Sequence, residues 1–174
     1  IINTPGYSIN TNELIEKMSP LYTSRNTIIE LFDMIHQMHT LSDTIYAHCV
    51  NVALFSRMIG RWLHLEQNDL NILTCCGLLH DIGKLAIPDS VLNKPGKLTD
   101  EEFALIKSHP KTGYEMLRNQ DVDTRIKQAA LMHHERYDGT GYPNKLSSEF
   151  LSDFAMIVAI ADVYDAMTAA RSYR

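Results

Sequence analysis

The chain has 174 residues, a formal net charge of −5 with neutral histidines, and 45% hydrophobic and 21% charged residues. This length fits one domain, or one domain with a short adaptor, and the composition excludes wholesale disorder. The negative charge argues against binding along a polymeric nucleic acid. No apolar run approaches the roughly 18 residues that a membrane-spanning helix needs, so we expect no membrane span in this segment.

The cysteines and the first residues indicate where the protein acts. Three cysteines, two of them the adjacent Cys75 and Cys76, do not suit a disulfide scaffold, and a reducing cytoplasm fits them better. No charged and apolar leader follows Ile1, so we expect no signal peptide. These features predict a cytoplasmic protein whose chain starts and stops inside a longer one, with a sensory or receiver domain upstream.

The first part of the chain is weakly patterned. Residues 1–23 predict a connector from an upstream domain, with one short helix near Glu13 to Met18. Residues 24–174 predict one helical domain. Its first apolar pattern, from Ile28 to Met38, repeats at three- to four-residue spacing. This segment fits either the core or the contact of a homodimer, and we favour the core.

The next two helical patterns carry histidines. The pattern from Ile45 to Ile59 has His48 on its apolar face. Another pattern runs from about Asn68 to Asp81, where we expect Gly83 to stop the helix. Residues 84–98 contain prolines and a glycine, so they predict a loop with one short helical turn.

Start signals mark three further helices. Thr99 begins a capping box, Pro110 suits the first turn of the next helix, and Asp123 caps a third. The third helix ends at His133 and His134.

A glycine-rich loop from Glu135 to Lys145 precedes a last helix from Phe154 to about Ala170. No useful length of the chain alternates apolar and polar residues as a strand would. We therefore predict an all-α fold, a bundle of about six to eight helices.

Histidines and carboxylates stand at helix ends or on buried helix faces. They are His48, His80, Asp81, His109, His133, His134 and Asp162. Each one alone has a plainer interpretation as a core, cap or surface residue. A carboxylate between Ala161 and Val163, however, is costly to bury without a cation or a strong donor. Taken together, the clusters predict one shared metal site.

The types of donor indicate which metals the site suits. Imidazole with carboxylate suits divalent transition metals, and we expect iron, with manganese, nickel or zinc as alternatives. Seven donors are too many for one ion, but Asp81 has two oxygens and can bridge two ions. Two ions about 3.5–4 Å apart, with a bridging hydroxide, suit in-line attack on phosphorus.

Two short motifs carry a family resemblance. The run His80-Asp81-Ile82-Gly83-Lys84 and the triplet Gly141-Tyr142-Pro143 resemble the HD and GYP motifs of the HD-GYP phosphodiesterases. The string from His133 to Pro143 extends the likeness, which covers about residues 45–174. The resemblance implies a helical HD domain that hydrolyses cyclic di-GMP, a bacterial second messenger, to pGpG, with GMP as the alternative end product. Members of the family usually continue with further helices, so we expect this domain to lack its last ones.

The resemblance also implies roles for single residues. The seven histidines and aspartates above match the metal ligands. One ion would be held by His48, His80, Asp81 and Asp162, and the other by Asp81, His109, His133 and His134. Lys84 matches a catalytic lysine beside the scissile phosphate, Tyr142 a substrate-side tyrosine, and Arg171 and Arg174 two arginines that contact substrate phosphates. We expect Glu135 or Asp165 to orient a ligand histidine.

The sequence departs from the family pattern at Thr44, where some members carry a glutamate that binds a third metal, so we predict a two-metal site. Two alternatives stay open. One is a phosphodiesterase for another cyclic dinucleotide, such as cyclic GMP-AMP. The other is a receptor that binds cyclic di-GMP without turnover.

Overall fold

The computed structural model describes residues 8–23 and 45–168. The predictions for the segment from Ile28 to Met38, for Thr44, and for Arg171 and Arg174 therefore lie outside the described residues.

Helices make up the regular structure of the two described ranges. In chain order they are α1 (Thr11–Met18), α2 (Pro20–Thr23), α3 (Ile45–Trp62), α4 (Gln67–Leu79), a 3₁₀ turn (Ile82–Ala86), α5 (Asp89–Leu92), α6 (Asp100–Ile106), α7 (His109–Arg118), α8 (Thr124–Met132), a second 3₁₀ turn (Ser148–Phe150) and α9 (Asp153–Thr168). No strand is found there, and one isolated bridge joins Asp138 and Ser147. The all-α prediction is confirmed. None of these described helices is long and apolar enough to cross a bilayer.

The core lies between α3, α4, α8 and α9. Helix α3 packs along α4 and against α9, and α8 contacts α4, α7 and α9. Val52, Leu73, Ile126 and Val158 are almost completely buried at this junction. Burying each such side chain contributes about 1.5–3 kcal/mol, which fixes the mutual positions of these helices.

The predicted helix starts at Thr99, Pro110 and Asp123 are confirmed. Thr99 Oγ1 accepts a hydrogen bond from the Glu102 amide at 3.3 Å, and the Glu102 carboxylate accepts from the Thr99 amide at 2.8 Å. Pro110 lies in the first turn of α7. Asp123 accepts from the Arg125 amide at 2.8 Å at the start of α8.

One predicted helix end is wrong. Helix α4 ends at Leu79, and Gly83 lies inside the following 3₁₀ turn instead of stopping the helix. The chain leaves helical geometry earlier because Asp81 adopts φ −97° and ψ 10°. A Cβ on Gly83 would collide with the carbonyl oxygen of His109. Gly83 therefore permits the turn to pack closely against the start of α7.

Helix α1 packs against the core. Leu14 and Ile15 contact core residues, Met18 is buried, and the Ile9 amide donates to Gln120 Oε1 at 3.2 Å. The predicted connector thus supplies apolar contacts to the helical bundle. Its boundary with the domain at residue 23 stays a prediction.

Candidate metal centre

Side chains from separate helices meet at one buried place. His48 comes from α3, His80 and Asp81 follow α4, His109 begins α7, His133 and His134 follow α8, and Asp162 lies in α9. Their donor atoms form two groups, each with its atoms within 4.8 Å of one another. One group is Asp81, His109, His133 and His134, and the other is His48, His80 and Asp162.

Asp81, a member of the first group, also reaches the second group and is 3% exposed. Its Oδ1 is 3.1 Å from His109 Nε2 and 3.7 Å from His133 Nε2. Its Oδ2 is 3.4 Å from His80 Nε2 and 3.5 Å from His48 Nε2. The two oxygens thus face different groups, which is the arrangement a bridging carboxylate needs.

The tautomers of three histidines follow from their backbone contacts. The Nδ1 atoms of His80 and His109 each lie 2.7 Å from a carbonyl oxygen, that of Gly77 and of Ile106, respectively. His133 Nδ1 lies 3.1 Å from the carbonyl oxygen of Ala129. Each Nδ1 must carry a hydrogen to donate to these oxygens, so in a neutral ring the Nε2 presents a lone pair.

These Nε2 lone pairs face other acceptor atoms. His109 Nε2 and His133 Nε2 face each other at 3.1 Å. Among the described residues, the buried His80 Nε2 and Asp81 Oδ1 have no hydrogen-bond partner. Buried acceptors that face one another with no donor between them are costly unless a cation lies among them. The residues therefore fit a divalent metal site.

The charges of the cluster shift the pKa values of Asp81 and His48. Burial would raise the pKa of Asp81, but its electrostatic interaction with His80 and its contacts with the other imidazoles hold it well below its usual range. Burial would lower the pKa of His48, but hydrogen bonds to Asp162 and Asp165 raise it to about 11. Both shifts have the same electrostatic origin, a surplus of negative charge at this place, which therefore favours a positive charge.

Asp165 supports His48 from behind. Its Oδ2 lies 2.7 Å from His48 Nδ1, and its Oδ1 accepts from Asn51 Nδ2 at 2.7 Å. This contact turns His48 Nε2 towards Asp162, 3.2 Å away. Of the two acids expected to orient a histidine, the structure thus shows Asp165 in that position. Asn51 was missed, although it is a polar residue one helical turn after His48.

Glu135 holds the glycine-rich loop instead of a histidine. Its buried carboxylate accepts from the amides of Asn144 at 2.6 Å and Leu146 at 3.0 Å. A Cβ on Gly141 would collide with the backbone of Arg136, so the loop packs tightly on the end of α8. The loop is thereby fixed against the histidine pair.

Lys84 and Tyr142, the described residues among those expected to face the substrate, lie at the edge of the cluster. Lys84 Nζ donates to Asp81 Oδ2 at 2.5 Å, and its side chain is 23% exposed. The Tyr142 ring stacks on His134 with centroids 4.7 Å apart. Lys107, which the sequence interpretation did not select, lies over the same tyrosine ring. Its only sequence signal was its position two residues before His109.

A cavity of about 760 Å³ opens beside the cluster. His133, His134 and Tyr142 line one side, and Met156 and Ile160 of α9 line another. Its volume is in the range of small-molecule sites. A ligand in the cavity therefore reaches the His133 and His134 side of the centre.

Comparison with known proteins agrees with this geometry. The family described as HD domain matches residues 11–174. The chain belongs to this HD domain family. A cyclic di-GMP phosphodiesterase from Pseudomonas aeruginosa is 39% identical over 174 residues, which cover 97% of this chain and 41% of that protein. The resemblance to the HD-GYP group is confirmed by these findings.

Two further HD domain relatives are similar over most of the chain. A 3'3'-cGAMP-specific phosphodiesterase from Vibrio cholerae is 35% identical, covering 97% of this chain and 33% of that protein. The structure of an HDG"Y"P protein from Bdellovibrio bacteriovorus gives a TM-score of 0.76 at 23% identity, covering 91% of this chain and 52% of that one. The chain thus spans less than half the length of the two phosphodiesterases.

Proposed function

We propose that this chain is a metal-dependent phosphodiesterase that hydrolyses cyclic di-GMP to pGpG. The observation that carries the proposal is the buried cluster in which the two oxygens of Asp81 face imidazole nitrogens of both groups. The similarity to a cyclic di-GMP phosphodiesterase supports the choice of substrate.

The proposed cofactor is a pair of divalent ions, with iron as the first choice. His48, His80, Asp81 and Asp162 would hold one ion, and Asp81, His109, His133 and His134 the other. Such ions, when bound, acidify a water molecule and stabilise negative charge on phosphoryl oxygens.

Residues of the chain place the substrate at this centre. Lys84 lies at the exposed edge, where its ammonium group would stabilise charge that develops on the scissile phosphodiester. Tyr142 and the cavity beside it would receive part of the nucleotide. Arg171 and Arg174 are proposed to contact substrate phosphates. The protein is acidic overall, so these local cations must supply the attraction for a dianion.

The first test combines metal content with turnover. Replacing His80 and Asp81 by alanine should remove bound metal and hydrolysis of cyclic di-GMP together. Because both side chains are buried, Asp162→Asn is the milder second variant, and it should lose metal while keeping its helical circular dichroism. The exposed Asp121→Asn serves as the matched control. Full turnover by the double alanine variant, or none by metal-loaded wild type, would refute the proposal.

A second candidate substrate is cyclic GMP-AMP, because relatives named as cGAMP-specific are also similar to this chain. Both cyclic dinucleotides should compete for the same centre in one hydrolysis assay. A higher kcat/KM for cyclic GMP-AMP would reassign the substrate and leave the metal chemistry unchanged. Binding of either one without turnover, in metal-loaded protein, would indicate a receptor.

A further inference from the structure

Lys107, at the end of α6, is a cation beside the metal centre to which the proposed mechanism gives no role. Its Nζ lies 5.0 Å from the centroid of the Tyr142 ring and 5.3 Å from that of Phe103. The ammonium group is thus bracketed by two aromatic rings. Aromatic faces attract a cation through their quadrupole but accept little of its hydrogen-bonding capacity.

Lys107 has no acidic partner within the described part of the chain, where no ion pair of 4.0 Å or shorter includes it. Lys84, by contrast, is bound to Asp81, and Lys94 to Glu102. The side chain of Lys107 is partly exposed. Its N–H groups are therefore free to bind an anion from solution.

The position of Lys107 suits a particular anion. The Tyr142 ring that it contacts is itself stacked on His134, so Lys107 is separated from the proposed metal ligands by one aromatic ring. A cyclic dinucleotide carries two phosphodiester groups. When one of them is at the metal centre beside Lys84, the other must lie a short distance away, and Lys107 is a cation at such a distance, one aromatic ring from His134.

We propose that Lys107, held between Phe103 and Tyr142, binds the phosphodiester that is not being cut. This inference rests on the proposed function, because it requires a substrate with two phosphodiesters. It makes Lys107 a residue that selects cyclic dinucleotides over simple phosphodiesters. Tyr142 then has a second role, since its ring positions the ammonium group.

The test compares two substrates on the metal-loaded chain. Cyclic di-GMP has two phosphodiesters, whereas bis(p-nitrophenyl) phosphate has one. For Lys107→Gln we expect KM for cyclic di-GMP to rise about 10- to 100-fold, the usual effect of losing a hydrogen bond to a charged group. The loss in kcat/KM on bis(p-nitrophenyl) phosphate should be at least about tenfold smaller.

Two variants and one binding measurement complete the test. Lys107→Arg keeps the charge and should retain most of the affinity, and the exposed Lys97→Gln should behave as wild type with both substrates. Equilibrium binding of cyclic di-GMP to metal-free protein should weaken in Lys107→Gln by about the factor by which KM rises, because Lys107 is not a proposed metal ligand.

The outcomes separate this inference from the function on which it rests. An unchanged KM in Lys107→Gln, or equal losses on both substrates, would overturn the role of Lys107 and leave the phosphodiesterase intact. Equal losses would indicate that Lys107 only keeps Tyr142 in place. Cleavage of bis(p-nitrophenyl) phosphate but not of cyclic di-GMP by wild type would instead overturn both.

Discussion

Replacing Asp165 by asparagine tests whether the residue behind His48 tunes the metal centre. The change keeps the shape of the side chain but removes its charge. In the native site both carboxylate oxygens accept hydrogen bonds, one from His48 Nδ1 and one from Asn51 Nδ2, each at 2.7 Å. An amide at position 165 has one acceptor and one donor, so one of these contacts becomes donor against donor.

The expected loss follows from that mismatch. Asp165 is 2% exposed, so water cannot replace the lost partner. A hydrogen bond to a charged group contributes about 1.5–3 kcal/mol. Loss of the partner of a ligand histidine costs about 10- to 100-fold in metal affinity. We therefore expect Asp165→Asn to bind the metal about 10- to 100-fold more weakly.

A chelator competition assay measures this affinity, and Asp121→Asn on the surface is the matched control. A double variant, Asn51→Asp with Asp165→Asn, restores both contacts: the amide oxygen at position 165 accepts from His48 Nδ1, and its nitrogen donates to the carboxylate at position 51. The double variant should recover thermal stability relative to Asp165→Asn. Its metal affinity should stay below that of wild type, because the carboxylate is then at position 51 and the residue that contacts His48 is uncharged. Wild-type metal affinity in Asp165→Asn would refute the positioning role.

Three further predictions follow from the geometry. Asp123→Ala should lower the free energy of unfolding by about 1 kcal/mol, because Asp123 caps α8. The hydrogen bond with Arg125 lowers the pKa of Asp123 in the folded protein below its usual value of 3.8. The difference in unfolding free energy between wild type and Asp123→Ala should therefore be complete above pH 3.8 and shrink as the pH falls through the lower folded pKa. A difference that does not change with pH would contradict this. Gly141→Ala should push the loop off the backbone of Arg136 and reduce kcat/KM by about 100-fold with metal content unchanged, and wild-type turnover would argue against this. Because the pKa of His48 is about 11 without metal, metal uptake at about pH 8 should release roughly one proton from this residue, and metal binding should weaken as the pH falls. An indicator dye in weak buffer detects the released proton. The absence of release would count against His48 as a metal ligand.

The helical class and the types of donor could be predicted because they depend on local sequence. Apolar spacing and the signals at Thr99, Pro110 and Asp123 act over one or two turns, and the structure has helices starting at these places. The wrong helix end at Gly83 shows the limit of such signals. A glycine marks either a helix end or a close backbone approach, and only the position of His109 distinguishes them.

The sequence by itself determined an all-α chain with imidazole and carboxylate donors suited to a divalent metal, because residue type and periodicity are written along the chain. The tertiary structure decided which atoms meet. His48 and Asp165 are 117 residues apart, and their contact depends on how α3 packs against α9. The lone pairs that face Asp81, and the placement of Lys107 over Tyr142, likewise arise only when separate helices are brought together by burial of their apolar faces.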